Sequence, residues 1–357
     1  MNRREFVTTL GAGMFAPSIL TASSRPTPGQ DPVTFLDAMG EIRITHSMEL
    51  IREVLASGTR AVMVTLTDPK VYGEASLDAM LDDLLAYDRH IEEHSDLLVK
   101  ATSVADIDRA RREGKLALLY LIQNSIPLQR DLHRVDMLYG LGLRSIQVTY
   151  NYQNLVGSGC KELGDHGLTV FGHEVIERMN ELGMLIDTSH ANMTTMAETI
   201  RASKQPTIIS HTGCQAVHEH NRNTTDANLK LLADHGGVVG VCQIRPFLTE
   251  IDAPDNVSHY YDHIEHAVNV AGIDHVCIGS DRDHRVIENT AEELRVLLEE
   301  EGAQLTAADW PLYMPALNGP RRMEVVWEGL GKRGFSEDQR QKIMAGNLYR
   351  VWKEVLG

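Results

Sequence analysis

Met184-Leu-Ile-Asp-Thr-Ser-His190 and Pro206-Thr-Ile-Ile-Ser-His211 share one design: a short apolar, β-branched run that ends on a histidine. Such runs read as strands of a parallel sheet, buried on both faces and too short for helices. Working outward, the pattern recurs in Val33–Met39, Arg60–Leu66, Leu116–Gln123, Arg144–Tyr150, Gly237–Gln243 and His275–Asp281, which makes eight strands. A further short run, Leu97–Ala101, is expected outside the main sheet. Amphipathic helical stretches lie between the strands, among them Met48–Ala56, Leu77–His90, Asp131–Gly140, Phe171–Leu182, Thr225–Asp234 and Tyr260–Ala271. Several stop at a glycine just before the next strand (Gly58, Gly114, Gly142, Gly183, Gly236, Gly272), as C-terminal caps do. Eight βα units in sequence predict an α/β fold, a (β/α)8 TIM-type barrel. A doubly wound open sheet is the alternative, but no GxGxxG opens a first βα turn. Extra helices are expected at Arg321–Gly331 and Ser336–Leu356.

Composition agrees with one large domain. The chain has 357 residues, 43% of them hydrophobic and 24% charged, which suffices for a large core and excludes global disorder. Its formal charge is −16, from 34 Lys and Arg against 50 Asp and Glu. That balance argues against nucleic acid and anionic membrane surfaces as partners, and aromatics at 5% offer no stacking platform for bases. Cys160, Cys214, Cys242 and Cys277 are too scattered for a disulfide framework, and Cys242 and Cys277 read as inert core residues.

Residues 1–30 read as an address followed by a short linker, with a single domain over 31–357. Arg3-Arg4-Glu5-Phe6-Val7 precedes a mildly apolar run to Leu20 and small residues at Ala22 and Ser24. The paired arginines resemble a twin-arginine export signal, which makes the export machinery a partner and the periplasm or exterior the destination. The run is too short for a comfortable membrane span, and no nearby cysteine suggests a lipid anchor.

In a barrel, chemistry sits where strands exit. The predicted exits carry Gln123, Tyr150, His190, His211, Gln243 and Asp281. Two histidines and an aspartate converging on one mouth form a constellation suited to zinc or a similar cation. His90 and His94 lack the glutamate of HExxH and read as surface, and His259, His263 and His266 as a solvated or packing face. His218 and His220, close after His211, read either as pocket-lining or as plain loop residues, and His284, with Asp283, lies in the loop just past Asp281, where contact with a ligand is the lesser alternative.

Several motifs, in order and over nearly all of residues 31–357, resemble the membrane dipeptidase (renal dipeptidase) family of metallopeptidases. They are Leu141-Gly-Leu-Arg144, Gly167-Leu-Thr-Val-Phe-Gly172, Asp187-Thr-Ser-His190, Ser210-His211-Thr212, His220-Asn-Arg222-Asn223-Thr-Thr-Asp226, Gly279-Ser-Asp281 and Ala345-Gly-Asn-Leu-Tyr-Arg350. The resemblance implies an amidohydrolase-type barrel with two bridged zinc ions that cleaves dipeptides, often tolerating a D-residue on the C-terminal side. It implies that His190 and His211 hold one zinc, that Arg222 grips the substrate carboxylate, and that Asp281 handles the proton of the attacking water.

Four positions depart from the family pattern. Its first-strand His-x-Asp is replaced at Met39 and Glu41, its bridging glutamate is Gln123, and the histidine that polarises the scissile carbonyl is Tyr150. A thioether and a neutral amide are poor partners for a second cation. The expectation is one zinc on His190 and His211, completed by water and by Gln123 or Asp281, with an empty site as the alternative. Tyr150 remains able to donate to a developing oxyanion. The reading is an exported hydrolase of a dipeptide or related small amide. The alternatives are a repurposed barrel enzyme that tailors a peptide-like metabolite, or a relict binding protein. The oligomeric state is open, a homodimer being one option.

Overall fold

A computed structural model of the protein describes residues 34–250, 256–301, 306 and 309–357, so the export signal expected over 1–30 lies outside the described residues. Among the described residues, nine strands form one sheet: β1 (Phe35–Asp37), β2 (Thr59–Thr65), β3 (Leu98–Lys100), β4 (Leu116–Ile122), β5 (Leu143–Gln147), β6 (Leu185–Asp187), β7 (Ile208–Thr212), β8 (Val238–Val241) and β9 (Val276–Ile278). Eight follow in the order β1-β2-β4-β5-β6-β7-β8-β9, all parallel. The last meets the first through Ala38 N–H to Ile278 O (2.9 Å), Asp281 N–H to Met39 O (2.9 Å) and Glu41 N–H to Arg282 O (3.0 Å). The barrel is therefore nearly closed, and the expected eight strands are its staves.

The short run at Leu98–Lys100 is not outside the sheet. It pairs in parallel with the first half of β4, Leu98 opposite Leu116 and Lys100 opposite Leu118. The reason is local: β5 engages only Tyr120–Ile122, which leaves the entry half of β4 open on that side. Several strands are shorter than their apolar runs suggest, because their last residues bend out of the ladder toward the mouth.

Period-two alternation divides the strand residues into two packed sets. Val62, Val64, Leu118, Tyr120, Ile122, Ile146, Ile186, Ile209 and Val239 pack with the outer helices. Leu36, Met63, Leu119, Leu121, Leu185, Ile208, Val238 and Cys277 form a second cluster with Leu348, Val351, Trp352 and Val355 of the C-terminal helix. That helix closes the entry end of the barrel: Asn347 Nδ2 donates to Val276 O at 2.8 Å and Arg350 Nη1 to Gly236 O at 2.8 Å. The expected helix over Ser336–Leu356 is helical throughout but carries a π turn at Lys342–Gly346, between Glu337–Gln341 and Asn347–Leu356. The helix-stop glycines fit their role. Gly114 and Gly183 hold left-handed φ of 70° and 68°, a conformation a Cβ would strain, and return the chain toward β4 and β6.

Candidate metal centre and substrate cavity

Strand exits deliver the polar side chains to one end. Gln123 follows β4 directly, Tyr150 and Asn151 follow β5, His190 follows β6, His211 lies within β7, and Asp281 follows β9. Gln123, Tyr150, His190, Arg222 and Asp281 line a single cavity of about 440 Å3. His211 sits one layer deeper, wholly buried. Gln243 does not reach the cavity; it is buried beneath, with Nε2 3.3 Å from the Tyr260 hydroxyl. His284 does not reach it either. Its Nδ1 lies 3.1 Å from Glu41 O and its ring faces Arg322, because the β9 loop turns back onto the helix Arg322–Lys332.

The two histidines meet tip to tip, Nε2 to Nε2 at 2.9 Å. Their partners fix the tautomers. His190 Nδ1 lies 2.8 Å from Asn151 Oδ1, which can only accept. His211 Nδ1 lies 2.8 Å from Ser210 Oγ, whose own proton goes to Asp187 Oδ2 at 2.5 Å. Each ring therefore carries its proton on Nδ1, and two Nε2 lone pairs face each other in a buried space. Asp281 Oδ1 adds a third acceptor 3.9 Å from His211 Nε2. Burial, and after it the charge of Arg222, holds both imidazoles well below their ordinary pKa, so a proton does not resolve the conflict. A cation does, and the residues fit one: neutral imidazoles oriented by their other nitrogens are the usual donors. Among the described residues, no group of three or more His, Cys, Asp or Glu side chains is gathered tightly enough to ligate an ion together.

His190 and Asp281 both hold left-handed backbone, φ 63° and 54°. Non-glycine residues adopt it at a cost, commonly where function over-determines the geometry. Tyr150 stacks on His190, with ring centroids 4.2 Å apart and planes 25° apart. Arg222 is buried, with Nη2 3.3 Å from His211 O and its guanidinium over Phe247. His220 lines the cavity and accepts the Arg222 N–H at 3.1 Å, and burial lowers its pKa to about 4. Of the replaced family positions, Met39 is fully buried and does not line the cavity, whereas Glu41 does and pairs with Arg43 at 2.7 Å.

Residues 37–300 match the family model described as membrane dipeptidase, peptidase family M19. The chain belongs to the membrane dipeptidase family. A dipeptidase of Clonostachys rogersoniana, verJ, is 29% identical over 282 residues, covering 78% of this chain and 66% of that relative's length. An amidohydrolase from Pseudomonas aeruginosa has a similar structure, with TM-score 0.80 and 30% identity over 91% of this chain and 97% of that one. A Rhodobacter sphaeroides metallopeptidase, solved with a phosphinate mimic of L-Ala-D-Ala, shares the fold at TM-score 0.74 and 16% identity, covering 91% of this chain and 100% of that one. This membrane dipeptidase relative is thus a dipeptidase-like hydrolase of a metal-dependent family, on an amidohydrolase-type barrel.

Sequence reasoning missed two members of the site. Asn151 orients His190, and Arg282 lines the cavity beside Asp281. Both directly follow a residue singled out at a strand exit, but neither residue type carries a signal of its own at that position. The other histidines are structural. His263 accepts the Cys214 N–H at 2.8 Å and donates to Leu248 O at 3.1 Å, and His266 meets Asp226 at 2.7 Å.

Proposed function

We propose that this chain is an exported hydrolase that uses one divalent cation, zinc above all, to cleave a dipeptide or related small amide. The facing Nε2 lone pairs of His190 and His211, 2.9 Å apart and unprotonated, carry this reading. These two residues hold the ion. A cation there supplies Lewis acidity and makes water nucleophilic at neutral pH. Arg222 binds the substrate carboxylate with a planar, bidentate fork. Asp281, beside the pair, takes the proton of the attacking water and returns it to the leaving amine. Tyr150, held against the His190 ring, donates its hydroxyl to the developing oxyanion. Gln123 contributes a neutral amide donor to the same wall. The paired arginines at Arg3 and Arg4 support export through the twin-arginine route to the periplasm or beyond.

Met39, Gln123 and Tyr150, which stand where the family pattern has metal-binding and polarising groups, favour one second reading: a repurposed barrel enzyme without hydrolytic chemistry. Metal content per chain decides. Elemental mass spectrometry on the folded mature protein is expected to give about one ion, lost in His190→Ala/His211→Ala, with dipeptide turnover that follows it. No ion after metal is offered at neutral pH would transfer the case to the repurposed enzyme.

A further inference from the structure

Five of the cations that line the cavity divide into two kinds. Arg43 lies 2.7 Å from Glu41, Lys70 3.0 Å from Asp68, and Arg285 3.1 Å from Asp283. Arg222 and Arg282 line the same cavity, yet among the described residues neither has a carboxylate within ion-pair distance. Arg222 is the expected carboxylate anchor; Arg282 has no such assignment. It is only 3% exposed, its guanidinium rests over the Tyr313 ring, 5.5 Å from the centroid, and among the described residues it makes no side-chain hydrogen bond. Burial, and then the neighbouring Arg322, makes this charge costly and lowers its pKa to about 10, still cationic at neutral pH. A buried guanidinium with no carboxylate partner carries an uncompensated desolvation cost.

Its placement is enforced by the backbone. Arg282 O accepts the Glu41 N–H at 3.0 Å and Arg322 Nη2 at 3.1 Å, so the closing seam of the barrel delivers the side chain. Asp281 stands beside it in the chain and reaches toward His211. Arg222 reaches the same histidine from the β7 side through the His211 carbonyl. The two guanidiniums without a carboxylate partner therefore approach the reacting centre from different strands, one from the loop after β7 and one from the seam of β9 with β1.

We propose that Arg282 reads a second anionic group, so that the substrate is a dianion. Its C-terminal carboxylate sits at Arg222, and a further carboxylate, on the amino-terminal side of the scissile amide, sits at Arg282. The inference rests on the reading of this cavity as a small-amide hydrolase site and narrows its substrate class. A guanidinium fork pairs with carboxylate bidentately, and the neutral isostere leaves it buried and unpaired, which is a strong basis for discrimination.

The test is calorimetric binding of L-Glu-L-Ala and its isostere L-Gln-L-Ala to the full-length, zinc-supplemented protein. Wild type is expected to prefer L-Glu-L-Ala by about tenfold or more. Arg282→Met should bring the ratio to about one while its Tm holds or rises, because a buried unpaired charge is gone. Arg222→Met should weaken both peptides together. Equal binding by wild type, or a preference that survives Arg282→Met, overturns the proposal. So does a Tm loss of several degrees in both Arg282→Met and Arg282→Gln, which would make the guanidinium structural. Turnover is read separately. A preference in binding without hydrolysis of either peptide overturns the hydrolase reading alone. Hydrolysis of both with equal kcat/KM overturns the dianion alone, and binding of neither overturns both.

Discussion

The carboxylate of Asp37, at the exit of the first strand, accepts the backbone N–H of Ser280 at 2.8 Å and its hydroxyl at 2.6 Å, across the seam where the barrel closes. Asp187 and Ser210 repeat the arrangement between β6 and β7, with N–H at 3.0 Å and hydroxyl at 2.5 Å. In each case the next residue, Asp281 or His211, is one that turns toward the metal centre. Buried aspartates thus fix the direction in which two strand exits leave the barrel. Burial pushes both carboxyls above the usual carboxylate range, and the serine donors oppose that shift.

Ser280→Ala should therefore act on both stability and catalysis. It removes one donor from a fully buried carboxylate, a loss of about 1–3 kcal/mol in denaturant unfolding. It also loosens the backbone that holds Asp281 at φ 54°, so kcat should fall while KM changes little. Ser210→Ala should add weaker metal binding, because it frees His211 Nδ1. Kinetics that leave kcat untouched in Ser280→Ala would show that Asp281 is held by other means.

Arg322 braces the same seam from the helix behind it. Its guanidinium donates to Asp283 O at 2.9 Å, Ser280 Oγ at 3.0 Å and Arg282 O at 3.1 Å, and lies 3.9 Å from Asp37. Arg322→Met leaves Asp37 buried without its cation and three acceptors short of a donor. Loss of one partner of a buried pair commonly costs about 3–5 kcal/mol, and urea unfolding should show a loss of that order. The double variant Asp37→Asn/Arg322→Met should recover part of it.

The barrel was legible because period-two apolar runs and helix-stop glycines repeat along the chain, and each strand obeyed the same local rule. Leu98–Lys100 was misplaced because its position depends on a gap left by β5, which no local pattern encodes. At the site, His190, His211, Arg222 and Asp281 were readable from strand exits and family motifs. Asn151 and Arg282 were not. An asparagine or arginine in a loop carries no signal until the fold shows which ring it orients or which partner it lacks. His284 stays outside the cavity although it lies near Asp281 in sequence, because its loop packs against Arg322.

Asn151 gives a sharper test of the metal centre than the ligands themselves. Its side-chain oxygen fixes the His190 tautomer from the nitrogen opposite the proposed ion. Asn151→Ala should weaken metal affinity by about 10–100-fold, as loss of such outer partners does, while the fold persists. Competition with a chromogenic chelator reads the affinity directly. Unchanged affinity would mean that the His190–Tyr150 stack alone sets the ring.

Stability should fall in mild acid, and His263 is the residue to watch. It is fully buried, accepts the Cys214 N–H at Nδ1 and donates from Nε2 to Leu248 O, so the folded protein wants it neutral. Burial lowers its pKa from 6.5 to about 4. Between those values the unfolded chain holds a proton that the folded chain does not. Stability is then complete above about pH 6.5, declines as pH falls, and levels off below about pH 4, with a total loss on the order of 3 kcal/mol from this group. His220 titrates in the same window with a smaller effect, because it is less buried. Urea unfolding across that window, in wild type and in His263→Gln, separates the two. The glutamine keeps an acceptor and a donor but cannot titrate, so its stability should change less with pH. An identical slope in both proteins would remove His263 from the account.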